Sequence, residues 1–90
     1  MNTAISPLES MRKRLSWRAS RRGIKEMDLL VGGYADLHLA SMSSEQLSTF
    51  EALLEIPDQD LLSWVTGQAT IPEDMRSPML EDVLKFRPQL

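Results

Sequence analysis

Apolar residues recur along this chain at helical spacing, not in the alternation of a strand. Leu8, Met11 and Leu15 mark the inner face of a first helix, with basic residues on its other faces. Ser6-Pro7-Leu8-Glu9 supplies its start: a hydroxyl cap, a proline suited to the first helical position, and a glutamate that completes a capping box. A second helix is predicted from about Gly23 to about Leu39, with Ile24, Met27, Leu30, Val31, Tyr34, Leu37 and His38 on one broad stripe. Gly32-Gly33 interrupts it, at up to ~1 kcal/mol per glycine relative to alanine. Close approach of a neighbouring helix, or a kink, would account for the pair.

Ser43 with Gln46 forms a second capping box after the linker Ser41-Met42-Ser43-Ser44. The third helix turns Leu47, Phe50, Leu53 and Leu54 inward and Glu45, Glu51 and Glu55 outward, until Ile56-Pro57-Asp58 stops it. Asp58 or a neighbour is expected to cap a short fourth helix carrying Leu61, Leu62, Trp64 and Val65, which Gly67 ends. Pro72 or Pro78 opens a last helix with Met79, Leu80, Val83, Leu84 and Phe86, and Pro88 closes it. The pattern predicts an all-α fold: a single helical domain, residues 1–90, built as a compact bundle of about five short helices.

Charge adds a polarity that the apolar pattern does not contain. Residues 1–26 hold seven basic groups (Arg12, Lys13, Arg14, Arg18, Arg21, Arg22, Lys25) against two acids, a net of +5, whereas residues 27–90 carry −8. Such an asymmetry steers a partner onto one face. Residues 1–22 have the Arg- and Ser-rich, acid-poor composition of an organelle transit peptide, but they run into the basic motif and are read as part of the domain.

Several chemistries lack their residues. Without cysteine there is no disulfide, thiolate metal site or cysteine nucleophile, and one histidine, His38, makes a metal or triad site improbable. His38 is read as a surface or core-edge residue. No stretch approaches the ~18 apolar residues of a membrane span. Gly32-Gly33 lacks the spacing of a phosphate loop. Asp58 and Asp60 read as structural, and Glu81-Asp82 as a solvated face. No nucleophile, base and orienter can be assembled, so a binding module is favoured over an enzyme.

The chain is organised around Arg21-Arg22-Gly23-Ile24-Lys25-Glu26-Met27-Asp28, at the junction of the first two helices. The plain reading is a helix end, a breaker and a helix start. The sharper one is a docking corner, with Arg21 and Arg22 exposed and Gly23 admitting a partner closely because it has no Cβ. Glu26 lies within one turn of a helix N-terminus, where a carboxylate gains roughly 0.3–1 kcal/mol. Trp17 is either a core-edge aromatic or an exposed anchor; Trp64 is read as core.

Arg14-Leu15-Ser16-Trp17-Arg18, followed by Arg21 through Leu30, resembles the Arg-Gly-x-x-Glu signature of the succinate dehydrogenase assembly (flavinylation) factor family, the SdhE type. The likeness continues through Leu47-x-x-Phe50-Glu51-x-Leu53-Leu54 and Pro57-Asp58-x-Asp60-Leu61-Leu62-x-Trp64-Val65-x-Gly67, over residues 14–67. The resemblance implies a five-helix chaperone that binds the flavoprotein subunit of succinate dehydrogenase, and in some bacteria of fumarate reductase. It would promote covalent attachment of FAD to a histidine of that client. It further implies a docking surface of Arg22, Gly23 and Glu26, with Arg21 and Trp17 beside it. Asp28 matches the extended pattern and either joins that surface or orients an arginine locally. In this reading Arg22 pairs with groups of the client, and Gly23→Arg abolishes docking without unfolding the bundle. The chain is expected to act as a monomer in a bacterial cytoplasm in preference to a mitochondrial matrix, with no catalytic residue, no metal, no stably bound cofactor and no nucleic acid. The alternative is a small helical antitoxin or nucleic-acid-binding regulator using the same basic surface, whose affinity for nucleic acid would fall steeply with salt.

Overall fold

Three of the helices begin where a serine side chain caps an unpaired N–H group of the first turn. The computed structural model describes residues 6–87. Ser6 Oγ accepts from the Glu9 N–H at 3.1 Å and Pro7 opens α1, Pro7–Ala19. Ser43 and Gln46 form the full reciprocal box at the head of α3, Ser44–Leu54. Ser77 Oγ accepts from the Leu80 N–H at 3.1 Å, with Pro78 first in α5, Pro78–Lys85. Pro78, not Pro72, therefore opens the last helix, and Pro72 precedes a single 3-10 turn, Glu73–Met75. The helix ends at Lys85; Pro88, assigned as its terminator, lies outside the described residues.

Two boundaries differ from the sequence reading. α2 spans Lys25–His38, because Gly23 and Ile24 belong to the preceding turn, and a 3-10 turn, Leu39–Ser41, follows it. α4 spans Asp58–Val65, and Asp58 does not cap it: Pro57 occupies the cap position, and the Asp58 carboxylate is engaged elsewhere. α4 stops as expected. Gly67 takes φ +80°, and the Gln68 and Gly67 N–H groups donate back to Ser63 and Trp64 carbonyls, the double bond of a Schellman terminus.

The core is apolar throughout the described residues. Leu15, Ala19, Met27, Val31, Leu47, Phe50, Leu61 and Val83 are essentially inaccessible. α1 packs against both α2 and α3, and α5 lies across α2, α3 and α4. Tyr34 bridges the interior, its ring 6.1 Å from that of Phe50 and 6.0 Å from that of Phe86. Trp64 packs against the core while partly open to solvent. The apolar stripe assigned to α2 is narrower than expected. Leu37 is 67% exposed, and His38 sits on the surface with its ring 4.3 Å from that of Tyr34.

The glycine pair is explained by close approach. A Cβ on Gly32 would stand 3.0 Å from both Cα and Cβ of Ser20, where the end of α1 crosses α2. One on Gly33 would stand 2.9 Å from the edge of the Phe86 ring. α1 and α3 run parallel, since Arg14 pairs with Glu51 and Arg18 with Glu55, each at 2.7 Å. This arrangement brings the end of α1, the head of α2 and the α3–α4 corner together at one end of the bundle.

Candidate functional site: the glycine turn between the first two helices

Five residues, Ser20 to Ile24, reverse the chain between α1 and α2. Gly23 has φ +107°, a conformation that side chains rarely adopt, and a Cβ there would meet no atom within 4 Å. Within this chain, glycine is required by backbone conformation and not by crowding. Asp28, from the first turns of α2, reaches back to the turn. Its Oδ1 accepts from the Arg22 N–H and, at 3.3 Å, from the Gly23 N–H. Ile24 offers no side-chain cap, so this carboxylate is what ties the turn to the helix it leads into. Of the two roles considered for Asp28, the local one is observed, directed at backbone N–H groups and not at an arginine side chain.

Arg22 overturns the expectation of an exposed arginine. Its side chain is only 8% exposed. Nε donates to Asp58 Oδ1, Nη1 to the Leu54 carbonyl at 3.0 Å, and Nη2 to the Ile56 carbonyl. Leu54 is the last residue of α3 and Asp58 the first of α4, so one guanidinium satisfies carbonyls at the end of one helix and a carboxylate at the start of the next. All three guanidinium nitrogens are thus engaged within the chain, and the side chain is turned inward at this corner. Five donors in a rigid plane suit arginine to this corner.

The side chains presented outward are Trp17, Arg21 and Glu26. Trp17 is 60% exposed, so it is not the core-edge aromatic of the plainer reading. The Arg21 guanidinium lies 4.7 Å above the Trp17 ring centroid, a cation–π contact that holds both in place at the surface. Glu26 is exposed in the first turn of α2. Beside Trp17 an open groove of about 420 Å³ runs past Lys13, Ser16, Ser20, Arg21 and Asp36.

Most of the basic charge of the N-terminal third is used internally. Arg12 donates to the Leu39 and Met42 carbonyls at 2.9 and 2.8 Å, Arg14 and Arg18 pair with α3, and Arg22 with Asp58. Lys13, Arg21 and Lys25 form no ion pair among the described residues. A continuous phosphate-binding stripe is therefore not what the fold displays. Among the described residues no group of three or more His, Asp or Glu side chains could hold a metal, and no helix is long and apolar enough to cross a membrane.

Asp58 and the two carbonyls around it are the part of the site that the sequence reading missed. A signal was present: Arg14, Arg18 and Arg22 repeat every four residues, as do Glu51, Glu55 and nearly Asp58. Matching the two series requires the parallel arrangement of α1 and α3, which neither series states alone.

The chain is similar to known proteins across nearly its whole length. A model of the family described as "Flavinator of succinate dehydrogenase" matches residues 13–87. The chain is 37% identical over 78 residues to the FAD assembly factor SdhE of Acetobacter pasteurianus, covering 87% of this chain and 72% of that protein. It is 35% identical over 81 residues to the mitochondrial succinate dehydrogenase assembly factor 2 of Dictyostelium discoideum, covering 90% of this chain and 57% of that one. With the corresponding protein of Yarrowia lipolytica it shares 40% over 77 residues, covering 81% and 53%. The chain thus spans little more than half the length of these mitochondrial relatives. Its match from residue 13 to residue 87, with the glycine turn inside it, makes the chain a member of the family of flavinators of succinate dehydrogenase.

Proposed function

We propose that this chain is an assembly factor that binds the flavoprotein subunit of succinate dehydrogenase and promotes the covalent attachment of FAD to it. The observation that carries the proposal is the family match over residues 13–87, supported by relatives named as FAD or succinate dehydrogenase assembly factors. The outward-facing Trp17, Arg21 and Glu26 around a locked glycine turn supply a surface suited to docking. An aromatic and an arginine held in place before binding lose little side-chain freedom when a partner covers them.

The chain acts by positioning and contributes no group to the bond that forms. Docking favours the arrangement of the client in which the flavin and its target histidine stand in reactive geometry. FAD belongs to the client and is not stably held by this chain. The same surface serves fumarate reductase where that enzyme carries covalent flavin, and the factor works as a monomer in a bacterial cytoplasm. The rival reading, an antitoxin or nucleic-acid-binding regulator, is disfavoured by the internal use of Arg12, Arg14, Arg18 and Arg22.

The test uses the chain as bait in a lysate, followed by in-gel flavin fluorescence of the captured band. A fluorescent band of flavoprotein-subunit size, lost with Trp17→Ala and Glu26→Lys while both variants keep the wild-type melting temperature, is the expected result. Capture of nucleic acid or a small toxin, with no flavoprotein, would overturn the reading.

A further inference from the structure

Several contacts place the turn: Ile24 packs partly buried against the core, the Arg21 N–H donates to the Arg18 carbonyl, and Asp28 ties the Arg22 and Gly23 N–H groups to α2. Among the described residues, the side-chain hydrogen bonds that run from the turn to the α3–α4 corner are those of the Arg22 guanidinium. That guanidinium has one anionic partner, Asp58, itself only 17% exposed. The Leu54 and Ile56 carbonyls complete the cradle, but they are neutral and belong to a helix end that other groups can solvate. Asp58 is the first residue of α4, directly after Pro57, whose ring limits the local backbone. The carboxylate is thus held on a stiff corner, aimed at the turn.

We infer that Asp58 is a positioning residue of the docking surface: it holds Arg22, and through Arg22 it sets where Gly23 stands. This rests on the assembly-factor reading for what docks there, and assigns to α4 a part in the site although α4 offers no docking side chain. Without the charge on Asp58 the guanidinium is left mostly buried beside two carbonyls, and swings toward water, carrying the turn with it. Trp17, on the rigid body of α1, stays where it is. Glu26, beside the buried Met27 in α2, stays as well, so the displacement falls on Gly23 relative to Trp17 and Glu26.

The experiment compares Asp58→Asn, Asp58→Glu and Leu47→Val in the full chain. Leu47 is fully buried in the first turn of α3, at the opposite end of that helix from Leu54. Its variant reports what general loosening does. Affinity for the isolated flavoprotein subunit is measured below the melting temperature of every variant, and backbone amide signals are followed by NMR. Asp58→Asn is expected to weaken binding by roughly tenfold or more and to shift the Arg22 and Gly23 amide signals. Leu47→Val should bind as wild type, and Asp58→Glu should recover part of the loss. Wild-type affinity in Asp58→Asn, equal losses in Asp58→Asn and Leu47→Val, or no recovery with Asp58→Glu would each overturn the inference. Failure of the wild-type chain to bind would instead sink the assembly-factor reading. The amide signals then decide the positioning claim, since unmoved Arg22 and Gly23 signals in Asp58→Asn would refute it without any client.

Discussion

Gly23 and Arg22 are neighbours in the sequence with opposite orientations and separable costs of replacement. Because a Cβ at Gly23 would meet nothing, Gly23→Ala and Gly23→Arg should both lose stability through the positive φ alone, by about 1–3 kcal/mol. Urea unfolding checks the equality of the two losses, and a further loss of client binding in Gly23→Arg measures the clash with a partner. A loss of that size is compatible with the expectation that Gly23→Arg leaves the bundle folded, at reduced stability. Arg22→Ala strands the mostly buried Asp58 carboxylate and should cost about 3–5 kcal/mol, read in the same unfolding experiment. Glu26→Ala lies on the surface with no ion pair among the described residues, and should change stability by less than about 0.5 kcal/mol. A client-binding defect in that variant would be a defect of docking only.

At the scale of elements, the two glycines of α2 make different demands. Gly32→Ala drives a methyl group against the backbone of Ser20 and should destabilise by about 1–3 kcal/mol despite the better helix propensity of alanine. Gly33→Ala meets only the edge of the Phe86 ring, which can rotate away, so the ~1 kcal/mol gained in propensity largely offsets the displacement. Thermal unfolding of the two variants should therefore separate them clearly. The helix starts at Ser6, Ser43 and Pro78, the Gly67 stop and the closeness at Gly32-Gly33 were legible because caps and glycines act within a few residues. The burial of Arg22 was not, because its partners lie 32 to 36 residues further on and the local sequence reads as an open basic corner. Leu37 misled for a related reason: helical spacing places it beside the apolar stripe, but among the described residues it is left exposed at that edge. Trp17 could be left at two alternatives and no fewer, since a tryptophan at a helix end serves either role until the neighbouring helix is placed.

For the whole molecule, the interior carries one described titration with a resolved displacement. Burial, and then the negative charge of Asp82, raise the Tyr34 hydroxyl above the ordinary tyrosine value. The neutral form is the one the fold favours, so this contribution is fully present below the unfolded value and is lost as pH rises through the folded one. Stability should therefore decline above about pH 10, and Tyr34→Phe should flatten that alkaline decline in melting curves. The outer rungs between α1 and α3, Arg14 with Glu51 and Arg18 with Glu55, are solvent-exposed. Each should contribute less than about 1 kcal/mol, diminishing with salt.

The span bridged by Arg22 also orders events in time. During synthesis the chain emerges from its N-terminus, so Arg22 leaves the ribosome 36 residues ahead of Asp58. Until that later corner arrives, the signature exists as sequence without its geometry. If the turn is the docking surface, a nascent or truncated chain lacking α4 carries Trp17, Arg21 and Glu26 without the Asp58 contact that holds Arg22, and should bind its client more weakly than the full chain.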